Sequence, residues 1–282
     1  MKRTSILIVF CLAFAAQAFC QDSVTLQYKY TAGELLRYKM VMDASMQLDT
    51  PNGSLTIPVR MAAVMKQRTK RVLKDGNAEL VVAFESMRMQ LGTEVREMPV
   101  KELPVMTVTV SKHGQVCSAN VPGMAANPFM NSQMMNSGGF GNYVVFPEGP
   151  IKVGDAWELN LPQVQGLEGI RAGGELLSTN TKLGKYTVSK IRQTIGGNLN
   201  LDMPTGLGMQ TNSAMPGMKM DGAFLGDGTV FFSAERGQMI RADGRVDLQV
   251  NVNIPEINGQ QIGNARAVMQ MGYEIFLISA GK

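Results

Sequence analysis

The stretch that decides the fold is VDLQVNVNI, residues 246–254. Apolar and polar residues alternate at every position along these nine residues. Because successive side chains of a β-strand point to opposite faces of a sheet, this pattern predicts a strand with one apolar and one polar face. A helix would spread the same apolar residues around its axis. The stretch therefore indicates a half-buried antiparallel strand.

The same alternation recurs outward from this stretch, in residues 36–43, 106–111 and 157–161. Residues 269–278 are apolar on both faces, which is typical of a central strand. Glycine-containing turn signals fall between the predicted strands. They are Asp75-Gly76-Asn77, His113-Gly114, Ile195-Gly196-Gly197, Asp227-Gly228, Arg236-Gly237 and Asp243-Gly244. The chain is predicted to be all-β, as a strongly curved antiparallel sheet, a half-open barrel or a sandwich.

An internal duplication is also predicted, since three pairs of turn-like glycines recur about 120 residues apart in the same order. The pairs are Gly33 with Gly154, Gly76 with Gly196, and Gly114 with Gly237. We expect a first β unit over residues 21–145 and a second over residues 146–282. Turns favour glycine everywhere, so convergent hairpin chemistry is the alternative explanation.

The first twenty residues have the layout of a cleaved secretory signal. Lys2 and Arg3 precede the apolar run 6–14, and small-residue processing sites follow. Cleavage after Ala18 and cleavage after Cys20 both fit. The run is shorter than the ~20 apolar residues that span a bilayer, and no transmembrane segment is predicted in the mature chain. A secreted or periplasmic location is therefore expected.

Charge and cysteine content exclude several classes of protein. Without Lys2 and Arg3, 25 basic residues face 23 acidic ones, and the basic residues are scattered. Nucleic acid is therefore not an expected partner. With three cysteines in the whole chain there is no disulfide framework, and Cys117 is expected to be buried on a strand.

Two segments rich in Met, Asn, Ser and Gly, residues 123–142 and 203–222, are predicted to be long loops. Their flexible apolar side chains suggest the mouth of an apolar-ligand site at the open end of a curved sheet. The residues proposed for that mouth are Phe129, Met134, Met135, Phe140, Met215, Met218, Met220 and Phe224. Thioethers also suit Cu(I), so a Met-rich copper site is a lesser alternative.

Catalytic signatures are scarce in this chain. His113 is its one histidine, and no Gly-x-Ser-x-Gly or phosphate-binding glycine motif occurs. Zinc would need more His, Cys or carboxylate ligands in proximity than the sequence suggests. We expect no enzyme activity, no cofactor and no bound metal.

Residues 146–157, with the pattern Pro-x-Lys-x-Gly-Asp-x-Trp, and the upstream Tyr28-x-Tyr-x-x-Gly-Glu resemble a family of uncharacterised exported bacterial β-proteins. That family is known only as a domain of unknown function. The resemblance implies an exported compartment and a β fold, and it carries over no catalytic residue. Trp157 is expected to plug the core of the second unit.

These observations predict an exported, non-enzymatic binding protein. Its partner is an apolar small molecule or lipid, or another component of the cell envelope. The alternative is a structural or surface-interaction module of unknown partner, and the oligomeric state stays open.

Overall fold

The computed structural model describes residues 23–50, 53–103, 105–120, 144–159, 167–203, 218–254 and 263–281. The regular structure in them is β-strand apart from one 3-10 turn, Val100–Glu102. In chain order the strands are β1 Leu35–Thr50, β2 Gly53–Val72, β3 Ala78–Leu91, β4 Glu94–Glu97, β5 Val105–Val110, β6 Val116–Asn120, β7 Ala156–Leu159, β8 Leu167–Leu183, β9 Tyr186–Met203, β10 Met218–Ser233, β11 Gln238–Ile254 and β12 Gly263–Gly281.

These strands form one antiparallel sheet in the order β6-β5-β3-β2-β1-β12-β11-β10-β9-β8-β7, with β4 paired to the flank of β3. The first and last long strands pair at its centre, where Asp49 lies opposite Arg266 and Met40 opposite Ile275. The described strands at the two edges, β6 and β7, are not paired with each other. The predicted all-β class is confirmed, in the form of a single sheet that does not close into a barrel.

Alternation along β11 sorts the residues of the sheet onto two faces. Ala242 is buried, and Val246, Leu248, Val250 and Val252 follow on the same side of the strand. We call this side the inner face. The register carries the assignment to the neighbouring strands, since residues directly opposite each other share a face.

Two extended segments cross the inner face at one end of the sheet. In the N-terminal segment, 23–30, the Tyr28 N–H donates to the Lys112 carbonyl (2.7 Å), and the Lys29 N–H donates to the Gly237 carbonyl (3.1 Å). These two acceptors lie in the β5–β6 and β10–β11 turns, which belong to opposite halves of the sheet. One short segment therefore ties both halves of the sheet together, which requires the sheet to curl around it.

The second segment, 144–151, lies beside the first. The Phe146 N–H donates to the His113 carbonyl (2.8 Å), and Val24 and Ile151 form an antiparallel bridge. The buried Tyr28 hydroxyl accepts a hydrogen bond from the Val144 N–H (2.9 Å). Together the two segments form the plug that closes this end of the sheet.

An aromatic group fills the space under the plug. The Phe232 ring centroid lies 5.1 Å from that of Tyr28 and 4.7 Å from that of Phe146, both with edge-to-face geometry. Burial raises the pKa of Tyr28 and of Tyr38 far above the ordinary value, so both stay neutral. The aliphatic side chains packed around these rings come from both halves of the sheet and include Met65, Leu80, Val110, Leu176, Ile191 and Val230.

The turn predictions were right where the chain reverses and wrong inside long strands. Gly76, Gly114 and Gly237 adopt positive φ in turns between strands. Gly196-Gly197, Asp227-Gly228 and Asp243-Gly244 instead lie within β9, β10 and β11. Gly196 is therefore not the turn counterpart of Gly76, and the duplication stays a prediction.

The strand glycines make room for a neighbouring side chain. A Cβ on Gly228 or on Gly244 would lie 2.7 Å from the Tyr273 hydroxyl oxygen. Tyr273 is half-buried and packs against the core cluster, so its ring extends across the two glycines on the inner face. Each of these two strand glycines therefore marks the close approach of the Tyr273 side chain to the backbone, and not a turn.

Two further predictions need correction. Residues 218–222, predicted as part of the loop 203–222, begin β10, and Met203 ends β9; residues 204–217 lie outside the described residues, as do 123–142. Cys117, expected to be buried, is exposed, because β6 is an edge strand and its thiol faces away from the core.

Trp157 lies half-buried on β7 and packs against the core cluster. Its Nε1–H donates to the Val145 carbonyl (2.9 Å), and its ring occupies the space that a Cβ on Gly174 would need.

We expect Trp157→Ala to lower the free energy of unfolding by about 2–3 kcal/mol, below the ~3–5 kcal/mol of a fully buried aromatic. Urea denaturation measures the loss. Trp157→Phe keeps a six-membered aromatic ring but loses the hydrogen bond and three ring atoms, so its cost should lie between about 1 kcal/mol and that of Trp157→Ala. Equal losses for the two variants would contradict the packing role.

Candidate functional site

Beyond the plug, the inner face continues as an apolar surface across seven strands. We call this surface the apolar trough. Its residues are Met42, Ala44, Met46 and Leu48 on β1; Leu55, Ile57, Val59 and Met61 on β2; Met87, Met89 and Leu91 on β3; Ile195 and Leu199 on β9; Met220 and Phe224 on β10; Val246, Leu248, Val250 and Val252 on β11; and Ala265, Ala267, Met269 and Met271 on β12.

None of these trough positions carries a charge, although the same strands are charged on their other face. Asp43 and Arg60, for example, are directly paired across β1 and β2 on the outer face and form an ion pair (2.5 Å). Arg245 and Asp227 do the same across β11 and β10 (3.0 Å). An antiparallel sheet with one face in water shows this division. The trough therefore has the composition of a buried face.

Burial decreases away from the plug on β1 and β2, whereas on β11 and β12 the far residues Val250 and Ala265 are buried. On β1, Leu36 and Tyr38 are fully buried under the plug, whereas Met42, Met46 and Leu48 are only half-buried. At the rim, Leu55 is 56% exposed and Leu91 is 47% exposed. The described residues thus leave the far half of an apolar face partly uncovered.

The dimensions of the trough suit a molecule larger than a single ring. Seven strands at ~4.8 Å spacing give a width of roughly 29 Å along the sheet, and the six residue steps from Val246 to Val252 give a length of about 20 Å. The resulting footprint of this part of the inner face is on the order of 600 Å².

The side chains of the trough are adaptable and neutral. Seven methionines from β1, β2, β3 and β12, with Met220 on β10, contribute thioethers that can repack around different guests. Tyr273 lies between the trough and the core. Burial, and then the carboxylates of Asp243 and Asp227, raise its pKa, so it presents a neutral hydroxyl at physiological pH.

The predicted ligand mouth is only partly within the described residues. Met220 and Phe224 lie in the trough, one strand away from Val252 and Leu248 respectively. Met218 lies at the start of β10, and its side chain is not described. Phe129, Met134, Met135, Phe140 and Met215 lie outside the described residues. The mouth and the Cu(I) alternative therefore both stay predictions.

Sequence reasoning concentrated on loops and missed most of the trough. Its residues come from strands whose alternation was recognised, including residues 36–43 and 246–254. The signal was the consistent absence of charge on one face of each strand. The plug covers one part of the inner face and leaves the other part open. The alternation does not reveal which part is which.

The outer face carries a groove of about 710 Å³ over Gly272, in the centre of the sheet. Acidic side chains and Arg245 line it. Arg245 pairs with Asp227, and Arg241 pairs with Glu274 (3.2 Å), so these charges are largely neutralised within the sheet. In the described part of the chain, no group of three or more His, Cys, Asp or Glu side chains is placed to hold a metal ion.

The fold and the site together define an open antiparallel β-sheet with one plugged end and an uncharged trough. No protein-family model matches the chain, and no curated protein sequence does. Several solved structures are distantly similar to it.

A lipovitellin structure that describes lipid–protein interactions has a TM-score of 0.48 and 10% identity, covering 89% of this chain; the chain spans 26% of the lipovitellin chain. OccK2 (OpdF) of Pseudomonas aeruginosa has a TM-score of 0.29 and 6% identity, over 86% of this chain and 98% of that one. A DUF1329 family protein from Desulfovibrio piger has a TM-score of 0.17 and 11% identity, over 83% of each chain. Similarities this distant assign no function to the chain.

No helix within the described ranges is long and apolar enough to cross a membrane.

Proposed function

We propose that this chain is an exported, non-enzymatic binding protein that holds an apolar small molecule or the acyl chains of a lipid in the apolar trough. The observation that carries the proposal is the absence of charge from every trough position across seven strands, while the face behind it is charged. The signal-like residues 1–20, which lie outside the described residues, support export.

The physical argument concerns what can occupy such a surface. Apolar surface removed from water contributes roughly 25 cal/mol per Å². A trough of half-buried methionine, leucine and valine therefore gains free energy from any apolar guest that covers it. It offers no fixed charge with which to orient a polar substrate. Hydrophobic guests of variable shape are the class of ligand that this surface suits best.

Native mass spectrometry of the mature chain, purified from the exported fraction, tests the proposal. We expect an additional mass that is released on denaturation and that extraction identifies as a lipid or other apolar molecule. A released mass equal to copper would support the Met-rich copper alternative. An apo mass, together with no binding of a fluorescent fatty acid, would contradict the proposal and favour a surface-interaction module.

A pair of adjacent substitutions localises the ligand. Leu248 lies in the trough and Gln249 lies on the outer face, where its Oε1 accepts from Arg266 (3.2 Å). Leu248→Glu places a carboxylate against the guest, where an unpaired charge is costly, and should weaken fatty-acid binding at least tenfold, or about 1.4 kcal/mol. Gln249→Glu adds the same group to the outer face and should leave binding unchanged. Fluorescence titration measures both.

An uncharged variant guards against a folding defect in Leu248→Glu. Ala267 lies in the trough opposite Val250, and Ala267→Phe fills space without adding a charge. It should reduce the amount of bound fatty acid while the melting temperature changes little. Undiminished binding by both Leu248→Glu and Ala267→Phe would show that the guest lies elsewhere.

A further inference from the structure

One row of inner-face residues, lying between the core and the trough, carries polar side chains. We call it the boundary row. Its members lie directly opposite one another: Met42 on β1, Tyr273 on β12, Gly244 on β11, Gly228 on β10, Gln193 on β9 and Gly174 on β8. The trough residues themselves have no nitrogen or oxygen in their side chains. A guest in the trough therefore meets the polar groups of Tyr273 and Gln193 where the trough ends at the core.

The Tyr273 hydroxyl lies over the middle of the boundary row. Its oxygen would be 2.7 Å from a Cβ on Gly244 and 2.7 Å from one on Gly228, so the ring reaches across β11 to β10. Gln193 is the next residue of the row, directly opposite Gly228. Both side chains are half-buried, and neither makes a side-chain hydrogen bond with another residue in the described part of the chain. The two groups therefore occupy neighbouring positions and can each bind a further partner.

Tyr273 and Gln193 offer neutral hydrogen-bond donors and no positive charge. A phenol hydroxyl and a side-chain amide both donate to an oxygen acceptor. Burial, and then the carboxylates of Asp243 and Asp227, raise the pKa of Tyr273, which keeps its donor proton in place. The trough supplies no Lys or Arg, so a carboxylate bound here would lose water without gaining a cation. This environment favours a carbonyl or hydroxyl oxygen over an anion.

We propose that Tyr273 and Gln193 bind the neutral polar end of the guest, an ester, amide or hydroxyl oxygen, while its apolar chain lies along the trough away from the plug. This inference rests on the proposed function and names the ligand class of the same site, a long-chain molecule with one neutral hydrogen-bonding end. The reverse orientation would cover both donors with an apolar chain end and leave them unsatisfied. The trough length of about 20 Å is available to the chain.

Trp157 is the one tryptophan of the chain, and it reports on this end of the trough. It lies opposite Gly174, and its ring occupies the space above that glycine, beside Gln193 in the boundary row. Bromine quenches tryptophan fluorescence only at short range. We expect a long-chain methyl ester brominated next to its ester group to quench Trp157 of the full mature chain. The same ester brominated at its far chain end should leave most of the fluorescence, at equal occupancy by native mass spectrometry.

Tyr273→Phe removes only the hydroxyl and keeps the ring over the two glycines. It should weaken binding of the unbrominated methyl ester about threefold to tenfold, the range for one neutral hydrogen bond, and leave binding of a hydrocarbon of equal chain length unchanged. Gln193→Leu should weaken ester binding by a similar factor. Tyr186→Phe is the matched control, because it removes the same atom at the start of β9, about 23 Å along the strand from Gln193, and should change neither affinity. Displacement of a fluorescent fatty acid measures each affinity.

The outcomes separate this inference from the proposed function. Stronger quenching by the ester brominated at its chain end, or quenching by neither ester while one is bound, would overturn the orientation. Equal affinity of the wild type and Tyr273→Phe for the ester, or tighter binding of the ionised acid than of its ester, would overturn the neutral polar-end site and leave the trough as a binding surface. Absence of bound ester, acid and hydrocarbon from the wild type would instead overturn the function of the trough itself.

Discussion

Gly114→Ala is expected to destabilise the protein by about 2–5 kcal/mol. Gly114 has φ +90°, a conformation that costs an L-residue ~1–2 kcal/mol. A Cβ there would also overlap the Val144 carbonyl oxygen and lie 2.7 Å from Cε2 of Tyr28, and such overpacking typically costs ~1–3 kcal/mol. Both clashes fall on the plug, whose two segments are hydrogen-bonded to this turn. Guanidinium denaturation of the mature chain measures the loss.

Gly76→Ala is the matched control for this prediction. Gly76 has φ +84° in the β2–β3 turn, but a Cβ there would meet only the Lys112 side chain, at 3.5 Å. It should therefore lose only the ~1–2 kcal/mol of the backbone conformation. Equal losses for Gly114→Ala and Gly76→Ala would show that the plug does not rest on the Gly114 turn as described.

Phe232→Ala is expected to lower the free energy of unfolding by about 3–5 kcal/mol, the usual cost of removing a fully buried aromatic ring. Phe232 is fully buried and contacts both Tyr28 and Phe146. Its loss leaves a cavity where the plug meets the sheet, and relaxation there is limited because the plug is hydrogen-bonded on both sides. Thermal and chemical denaturation both report the loss.

The adjacent residue supplies the control. Phe231 is half-buried, and its ring lies 6.0 Å from the Arg241 guanidinium. Phe231→Ala removes the same number of atoms without opening a cavity in the core, so it should cost much less than Phe232→Ala. If the two substitutions were equally destabilising, the aromatic group would not be the centre of the core.

The plug and the trough use the same inner face in different ways. Near the plug, residues of the inner face such as Leu80 and Ile191 are sealed by residues 23–30 and 144–151. Farther along β1 and β2, the face has the same apolar character and its side chains are less buried. A rigid closed end therefore fixes the curvature of the open half and gives the trough a defined shape.

Long strands were predictable wherever alternation was clean, and less so where glycine interrupted it. The pattern of residues 246–254 lies within β11, as predicted. Asp243-Gly244 has the sequence signal of a turn, yet Gly244 lies ten residues before the end of that strand. Sequence spacing cannot show that Tyr273 of β12 occupies the space above it. A residue 29 positions away in the chain decides that conformation.

The candidate site was predictable in kind but not in position. Met220 and Phe224, two of the residues predicted for the ligand mouth, lie in the trough, and the mouth itself stays a prediction. Residues such as Leu55 and Met89 join them only through pairing across many strands. Register between distant strands depends on the whole sheet, and local pattern carries little information about it.

By itself, the sequence determined the strand class, the two-faced character of the sheet and the division of charge between its faces, because these follow from the two-residue period of a β-strand. Only the tertiary structure decided that β1 pairs with β12, that residues 23–30 and 144–151 plug one end, and that the remaining inner face forms a trough. Those features arise from contacts between residues far apart in the chain. Their formation depends on the free energy of burying whole faces together, which no single stretch of sequence contains.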